Sequence, residues 1–172
     1  MAHRIFRIVT MVWVGSLLTL GYVVAPVLFS MLDRTTAGSV AAQLFRVEGM
    51  LGVVCALILL LIGNRMVRGG FVDYKRVRWI VAVMLLCVLI GYFGLQPFMN
   101  SLRIAAQEAG TDLANSVYAK RFGVLHGVSS AFYLLESVLG LLLVWRLPGH
   151  FASGPFVARG QSAAVAARRV RR

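Results

Sequence analysis

Residues 122–145, FGVLHGVSSAFYLLESVLGLLLVW, contain one acid and no Lys or Arg, and this stretch decides the fold. A mostly apolar run of about 20 residues is long enough to cross the ~30 Å hydrocarbon core of a bilayer as a helix. Three similar runs precede it, so we predict four membrane spans at about 8–32, 49–63, 77–97 and 122–145. The second span is expected to be helical from nearer Ser39, because Ala41–Phe45 contains no helix breaker.

The composition supports the same class of protein. The 172 residues are 59% hydrophobic and 14% charged, and their mean hydropathy is +0.81. Soluble domains are about 45–50% apolar and about 25% charged, so a soluble single domain and a disordered chain are both excluded. We predict an all-α integral membrane four-helix bundle over residues 1–147, with outward helical extensions of spans two, three and four. Residues 148–172 form a basic tail that we expect to be mobile.

The positive charges predict the orientation of the bundle. Lys and Arg residues that flank membrane spans stay on the cytoplasmic side. Thirteen of the 18 lie on one side of the predicted spans, at Arg4, Arg7, Arg65, Arg68, Lys75, Arg76, Arg78, Arg146, Arg159, Arg168, Arg169, Arg171 and Arg172. Both termini are therefore predicted to be cytoplasmic. The basic head Met1–Arg7 resembles the start of a secretory signal, but the apolar run after it is too long for a signal core, so we expect a retained span.

The net charge of +12 does not by itself indicate nucleic-acid binding. Orientation in the membrane already explains most of the positive residues, and no folded nucleic-acid-binding motif accompanies them. We expect no nucleic-acid partner. The basic tail is instead expected to attract anionic lipid at the surface of the bilayer.

Span four carries a polar arc of about 120° at helical spacing, facing away from its leucine-rich side. Its members are His126, Ser129, Ser130, Tyr133, Glu136, Ser137 and Gly140. Glu136 lies about 21 Å from the outer end of the helix, near the middle of the bilayer. An ionised carboxylate at that depth is costly unless paired, so it marks a functional path by default. The alternative is a neutral, structural carboxyl group that is hydrogen-bonded to Ser16, Thr19 or a backbone carbonyl.

A second polar group is expected close to the outer face. His126 lies about 6 Å below the outer boundary, level with Glu48 and with Gln96. A small outward-facing pocket is predicted there, and its candidate ligand-binding residues are Tyr22, Glu48, Gln96, His126, Ser129, Tyr133 and Glu136. A structural hydrogen bond from His126 to Glu48 or Gln96 is the alternative. If a metal ion or haem is bound, His126 is the candidate ligand.

Other motifs are absent or point to packing. Cys55 and Cys87 lie in apolar runs without metal-ligand spacing, so both are expected to be buried hydrophobes. No phosphate loop, nucleophile elbow or catalytic carboxylate pair is present, and we name no catalytic residue. We find no internal repeat. Residues at helical spacing, most of them small, form a stripe on each of three spans and predict close helix packing. The stripes are Gly15, Thr19, Tyr22 and Pro26 on span one, Gly49, Gly52, Ala56 and Gly63 on span two, and Cys87, Gly91 and Gly94 on span three.

Several short segments together resemble the transmembrane protein 205-like family. They are Trp13–Ser16, Gly21–Phe29, Ala37–Gly38, Gln43–Phe45, Phe93–Pro97 and Arg121–Ser129, and the match covers about Ile8 to Trp145. The resemblance implies a small four-span bacterial inner-membrane protein without an established activity. A further similarity to four-span proteins of copper resistance and haem synthesis is one of architecture, which does not convey function.

Three hypotheses for the function follow. The first is a non-enzymatic protein that binds or passes a small ligand or ion through the pocket around His126 and Glu136. The second is a redox protein that binds haem or a metal ion through His126. The third is a scaffold or assembly partner, with a possible homo-oligomer, that uses its glycine faces for contact.

Overall fold

The computed structural model describes residues 1–147, which are helical and contain no strand. The six α-helices are α1 (Ala2–Thr19), α2 (Ala25–Met31), α3 (Arg34–Arg68), α4 (Tyr74–Leu89), α5 (Gln96–Glu108) and α6 (Ala119–Trp145). A π-helical turn at Leu20–Val24 joins α1 to α2 without a break, and a second at Ile90–Leu95 joins α4 to α5. The predictions made for the tail, residues 148–172, lie outside the described residues.

Four helical stretches are long and apolar enough to cross a membrane, as predicted. They are Ala2–Met31, Arg34–Arg68, Tyr74–Glu108 and Ala119–Trp145. The second and third continue well beyond the apolar runs read from the sequence, so the expected helical extensions are present there. The extension of span four is only three residues long, because the chain before it forms a 3₁₀ turn at Leu113–Asn115. The all-α four-span architecture is therefore confirmed.

Local chemistry sets the ends of the two long extensions. The Asp33 carboxylate accepts hydrogen bonds from the backbone N–H groups of Thr35 and Thr36, at 3.1 and 3.0 Å, and so caps the start of α3. At the same end of the bundle, α5 ends before Gly110, whose φ of +67° is one that residues with a Cβ rarely adopt. These two turns fix where the extensions begin and end.

One half of the bundle has a solid core. Here α1, α3, α4 and α6 pack in a ring, each against two neighbours. Six large side chains at the centre are at most 1% exposed, namely Phe6, Trp13, Leu59, Val81, Met84 and Leu143. His3 Nδ1 lies 2.8 Å from the Tyr74 hydroxyl, which places the N-terminus beside the connection between α3 and α4. We call this end the packed half.

The other half of the bundle divides into two helix pairs. There α2 packs against α3 and α5 packs against α6, whereas within residues 1–147 neither α2 with α6 nor α3 with α5 forms a close helix contact. The space between the two pairs is a crevice that begins above the packed half and continues to the connection between α5 and α6. We call it the crevice.

Only one of the three predicted small-residue stripes forms a helix contact throughout. On span two, a Cβ atom added to Gly52 would lie 2.9 Å from Trp13 Nε1, and one added to Gly49 would lie 3.3 Å from the Tyr92 ring. By contrast, a Cβ at Gly15 or Gly91 would meet nothing within 4 Å. The expectation of close packing at those two glycines is wrong, because the helices are rotated so that these positions face open space.

Candidate functional site

The crevice encloses a cavity of about 1040 Å³ with a mostly apolar wall. All seven residues predicted from the sequence as candidate ligand-binding residues line it: Tyr22, Glu48, Gln96, His126, Ser129, Tyr133 and Glu136. His126 and Glu136 therefore share one cavity, a point that helical periodicity alone leaves open. The cavity is closed at its inner end by the packed half.

Two carboxyl groups lie at the inner end of the cavity, which we call the floor. Glu48 is 8% exposed and Glu136 is 6% exposed. The Ser16 hydroxyl donates a hydrogen bond of 3.2 Å to Glu48 Oε1. Glu136 Oε1 is buried and has no hydrogen-bond partner among the described residues. The floor thus holds one carboxyl group with a partner and one with an unsatisfied oxygen.

This arrangement corrects two sequence-based expectations about Glu136 and Glu48. Ser16 was expected as a partner of Glu136 but bonds Glu48 instead, and Thr19 is exposed. Glu48 was expected near the outer end of span two, level with His126. It lies inside α3 at the floor, because α3 begins at Arg34 and continues through the predicted boundary without a break.

The predicted hydrogen bond from His126 to Glu48 or Gln96 is also absent from the described part of the chain. The His126 ring stacks instead on Phe122, with the ring centres 6.0 Å apart and the planes 6° apart. No group of three or more His, Cys, Asp or Glu side chains among residues 1–147 is arranged to hold a metal ion. His126 therefore has an aromatic neighbour, and this region brings no protein ligands together around it.

Tyr133 joins the two sides of the cavity just above the floor. Its hydroxyl donates a hydrogen bond to the Leu17 carbonyl of α1. Its ring meets Phe45 of α3 edge to face, with a centroid distance of 5.3 Å. The ring also lies directly against the backbone of Gly21, at a place where no Cβ atom would fit. Gly21 belongs to the first π-helical turn, and π-helical turns are frequent at functional sites.

The outer end of the cavity, which we call the mouth, is cationic. The Arg103 guanidinium lies over the Phe122 ring, 5.9 Å from its centre. Arg34 and Asp112 also line the cavity at this end. Arg103 forms no ion pair with a carboxylate of the described residues. The mouth thus carries two arginines and one aspartate, whereas the charged side chains at the floor are both acids.

Sequence reasoning missed several wall residues, among them Gly21, Phe45, Cys87, Tyr92 and Arg103. A signal for two of them is present, although we read no repeat in the sequence. Gly-Tyr occurs at Gly21-Tyr22 and again at Gly91-Tyr92, each followed by a proline, Pro26 and Pro97. Both pairs lie in the π-helical turns of the two spans. The short recurrence therefore marks a π-helical turn in each of two spans on opposite sides of the cavity.

Comparison with known proteins gives one match. Residues 8–108 match the model of the family described as Domain of unknown function (DUF4149). This segment covers α2, α3, α4 and α5 and most of α1, including both π-helical turns and Glu48, whereas α6 with Tyr133 and Glu136 lies outside it. No curated protein and no solved structure matches the chain.

Proposed function

Because this chain belongs to the DUF4149 family, whose function is unknown, we propose its function from its own geometry. It is a non-enzymatic, multi-pass protein of the bacterial inner membrane that binds one small ligand in the crevice. The two floor carboxyl groups, Glu48 and Glu136, hold the polar part of that ligand. Tyr22, Gln96, His126, Ser129 and Tyr133 complete the wall that surrounds it.

The observation that carries this proposal is the cavity of about 1040 Å³ that reaches a buried, unpartnered carboxyl oxygen. Pockets that bind one small molecule are about 300–1,000 Å³, mostly apolar, with a few polar groups. A buried polar atom without a hydrogen bond costs free energy, which a bound ligand recovers by supplying the missing partner. The closed packed half favours binding over a continuous channel in this conformation.

Orientation is part of the proposal. With both termini in the cytoplasm, the mouth opens on the periplasmic side. The uneven distribution of Lys and Arg supports this orientation. The ligand then comes from the periplasm or from the outer half of the bilayer, and a scaffold role requires no such cavity.

Cys87 provides a direct test of ligand access. Cys87 and Cys55 are both 5% exposed, but only Cys87 lines the cavity. In purified protein, a small charged thiol reagent is expected to modify Cys87 in the Cys55→Ala variant. The matched Cys87→Ala variant, which keeps only Cys55, should react far more slowly. If Cys87 reacts as slowly as Cys55, the cavity is not open to solvent and the proposal fails.

Glu136→Gln tests the role of the floor. The change keeps the size of the side chain, so we expect a folded protein with an unchanged helical circular dichroism spectrum. Native mass spectrometry of protein released from detergent micelles should show a co-purifying small molecule on the wild type and none on Glu136→Gln. If the same bound mass persists in both, Glu136 is a structural residue.

A further inference from the structure

We propose that the crevice takes a lipophilic organic cation, whose positive charge is held between Glu48 and Glu136 in exchange for a proton. The inference rests on the proposed ligand-binding function and names the chemical class of the ligand. Four observations carry it: the floor, the walls, the absence of cations at the floor, and the sideways opening of the crevice.

The floor supplies the negative charge. The Glu136 side chain is only 6% exposed, and its Oε1 atom has no hydrogen-bond partner among the described residues. Glu48, also on the cavity wall, keeps one hydrogen bond, from Ser16. A buried charge is stable only when paired, so in the empty cavity a proton neutralises the carboxyl group. A ligand cation does the same after the proton leaves, and the net charge of the site is unchanged.

The polar and titratable groups near the two floor carboxyl groups include no competing cation among the described residues. They are Ser16 on α1, Glu48 on α3, Cys87 on α4, and Tyr133 and Glu136 on α6, with Cys55 behind the cavity wall on α3. His126 lies ten residues before Glu136 on α6, about 15 Å from it along the helix. The exchanged proton is therefore assigned to the carboxyl pair.

The walls suit an apolar cation. Aromatic side chains line the cavity on all four spans, at Tyr22, Phe45, Tyr92, Phe132 and Tyr133. The face of an aromatic ring attracts a cation, and the attraction increases when the cation is desolvated. A mostly apolar wall at the same time favours a ligand that carries its charge inside a hydrophobic shell.

The arginines at the mouth do not block such a ligand. Arg103 rests on Phe122, which is fourteen residues and about 21 Å from Glu136 along α6. Within residues 1–147, α2 and α6 have at most a weak contact, and Tyr22, which lines the cavity just before α2, is 52% exposed, so we infer a lateral gap here. A lipophilic cation enters by this gap from the bilayer, past the aromatic side chains and away from the mouth.

The experiment compares tetraphenylphosphonium with tetraphenylborate, which has nearly the same shape and the opposite charge. Binding to the purified full-length protein is measured by isothermal titration calorimetry. Tetraphenylphosphonium should bind and tetraphenylborate should not. Each bound cation should release one proton in weakly buffered solution. At a pH low enough to protonate both carboxyl groups, binding should weaken about tenfold for each further unit by which the pH is lowered.

Glu136→Gln and Glu48→Gln are the decisive variants, and each should bind the cation at least about tenfold more weakly. Glu108→Gln is the matched control, because Glu108 is exposed and does not line the cavity. It should bind like the wild type. Size-exclusion chromatography and circular dichroism establish that all four proteins are folded.

Other outcomes overturn the inference in distinguishable ways. Preferential binding of tetraphenylborate would assign the ligand charge to Arg103, and equal binding of the two probes would leave an apolar site without charge selection. In both cases the ligand-binding function stands and the ligand class is wrong. If neither probe binds while Cys87 remains reactive, the class is again wrong; if Cys87 is also unreactive, the proposed function fails with it.

Discussion

At the scale of single residues, the position of Tyr133 depends on the absence of a side chain at Gly21. The Tyr133 ring occupies the space of the missing Cβ atom, and its hydroxyl bonds the Leu17 carbonyl. We predict that Gly21→Ala destabilises the protein by about 1–3 kcal/mol, because the ring is forced away from α1. Tyr133→Phe, which removes only the hydrogen bond, should cost about 1 kcal/mol.

Thermal unfolding followed by circular dichroism measures both effects. Gly123→Ala is the control, since a Cβ atom there meets nothing within 4 Å and α6 continues through it. An unfolding midpoint for Gly21→Ala equal to that of Gly123→Ala would contradict the described position of Tyr133.

Asp33, which lies between the first two spans, makes the stability of the α3 cap depend on pH. Hydrogen bonds from Thr36, with a smaller one from Thr35, hold the pKa of Asp33 below its usual value. The stabilisation is therefore complete above the unfolded-state pKa of about 3.9. It is lost as the pH falls through the lower pKa of the folded protein.

The amide exchange rates of Thr35 and Thr36, measured by nuclear magnetic resonance, should rise in that acidic range. Asp33→Asn keeps a capping oxygen without a titrating group, so its exchange rates should not change with pH beyond the intrinsic chemistry. Asp33→Ala should lose protection at every pH. A wild type that behaves like Asp33→Asn would show that the carboxylate has no part in the cap.

The sequence could place the span-four candidates His126, Ser129, Tyr133 and Glu136 on one face but could not identify the partners of the candidate site residues. The polar arc of span four follows from a period of 3.6 residues, which is a local property. The partner of Ser16 depends on how far α3 slides along α1, and this depends on packing between helices. For that reason Glu48, and not Glu136, receives the Ser16 hydrogen bond.

At the scale of elements, the predicted small-residue stripe with the closest helix contact is that of span two, at Gly52. Leu at Gly52 would collide with the buried Trp13 side chain, so we predict that Gly52→Leu lowers the unfolding midpoint sharply or prevents folding. Gly91→Leu places the same side chain in open space and should change the midpoint little. Comparable losses of folded protein in the two variants would contradict the helix rotations described above.

Gly15 tests the oligomer that the sequence suggested. It faces open space, and Thr19, one turn further along, is exposed. Small residues spaced four apart allow close approach of a second membrane helix. If the protein forms a homo-oligomer through this face, Gly15→Leu should convert it to the monomer in size-exclusion chromatography with light scattering, with the unfolding of the monomer unchanged. The wild type eluting as a monomer would end this suggestion.

The sequence did not predict the π-helical turns in spans one and three. Both spans read as continuous apolar helices, and hydropathy predicts their existence and approximate length. A π-helical turn contains one more residue than an α-helical turn but leaves the span equally hydrophobic. The hydrophobic periodicity over a short window therefore does not reveal it. The sequence-based search for repeats also missed the recurrence of Gly-Tyr and Pro, because it spans fewer than ten residues.

At the scale of the whole molecule, the two ends of the bundle differ in charge as well as in packing. The end of α3 and the start of α4, beside the packed half, carry a dense group of positive residues, Arg65, Arg68, Lys75, Arg76 and Arg78. Trp79 and Trp145 lie near that end and are 66% and 87% exposed, as interfacial aromatic residues are. The mouth of the crevice lies at the opposite end. The orientation of the protein therefore decides which compartment the site faces.

We predict that the packed end faces the cytoplasm and that the connection after α5 faces the periplasm. Single cysteines at Val72 and at Ala109, both exposed at opposite ends of the bundle, report the two sides in a background of Cys55→Ala and Cys87→Ala. In intact cells with a permeabilised outer membrane, an impermeant thiol reagent should label Ala109→Cys and leave Val72→Cys unlabelled until the cells are lysed. The membrane potential, negative in the cytoplasm, drives cations inwards from the periplasm. A mouth on the periplasmic side therefore lets a cationic ligand reach the floor carboxyl groups from the periplasm. The opposite labelling pattern would place the crevice towards the cytoplasm, and the ligand would then have to come from inside the cell.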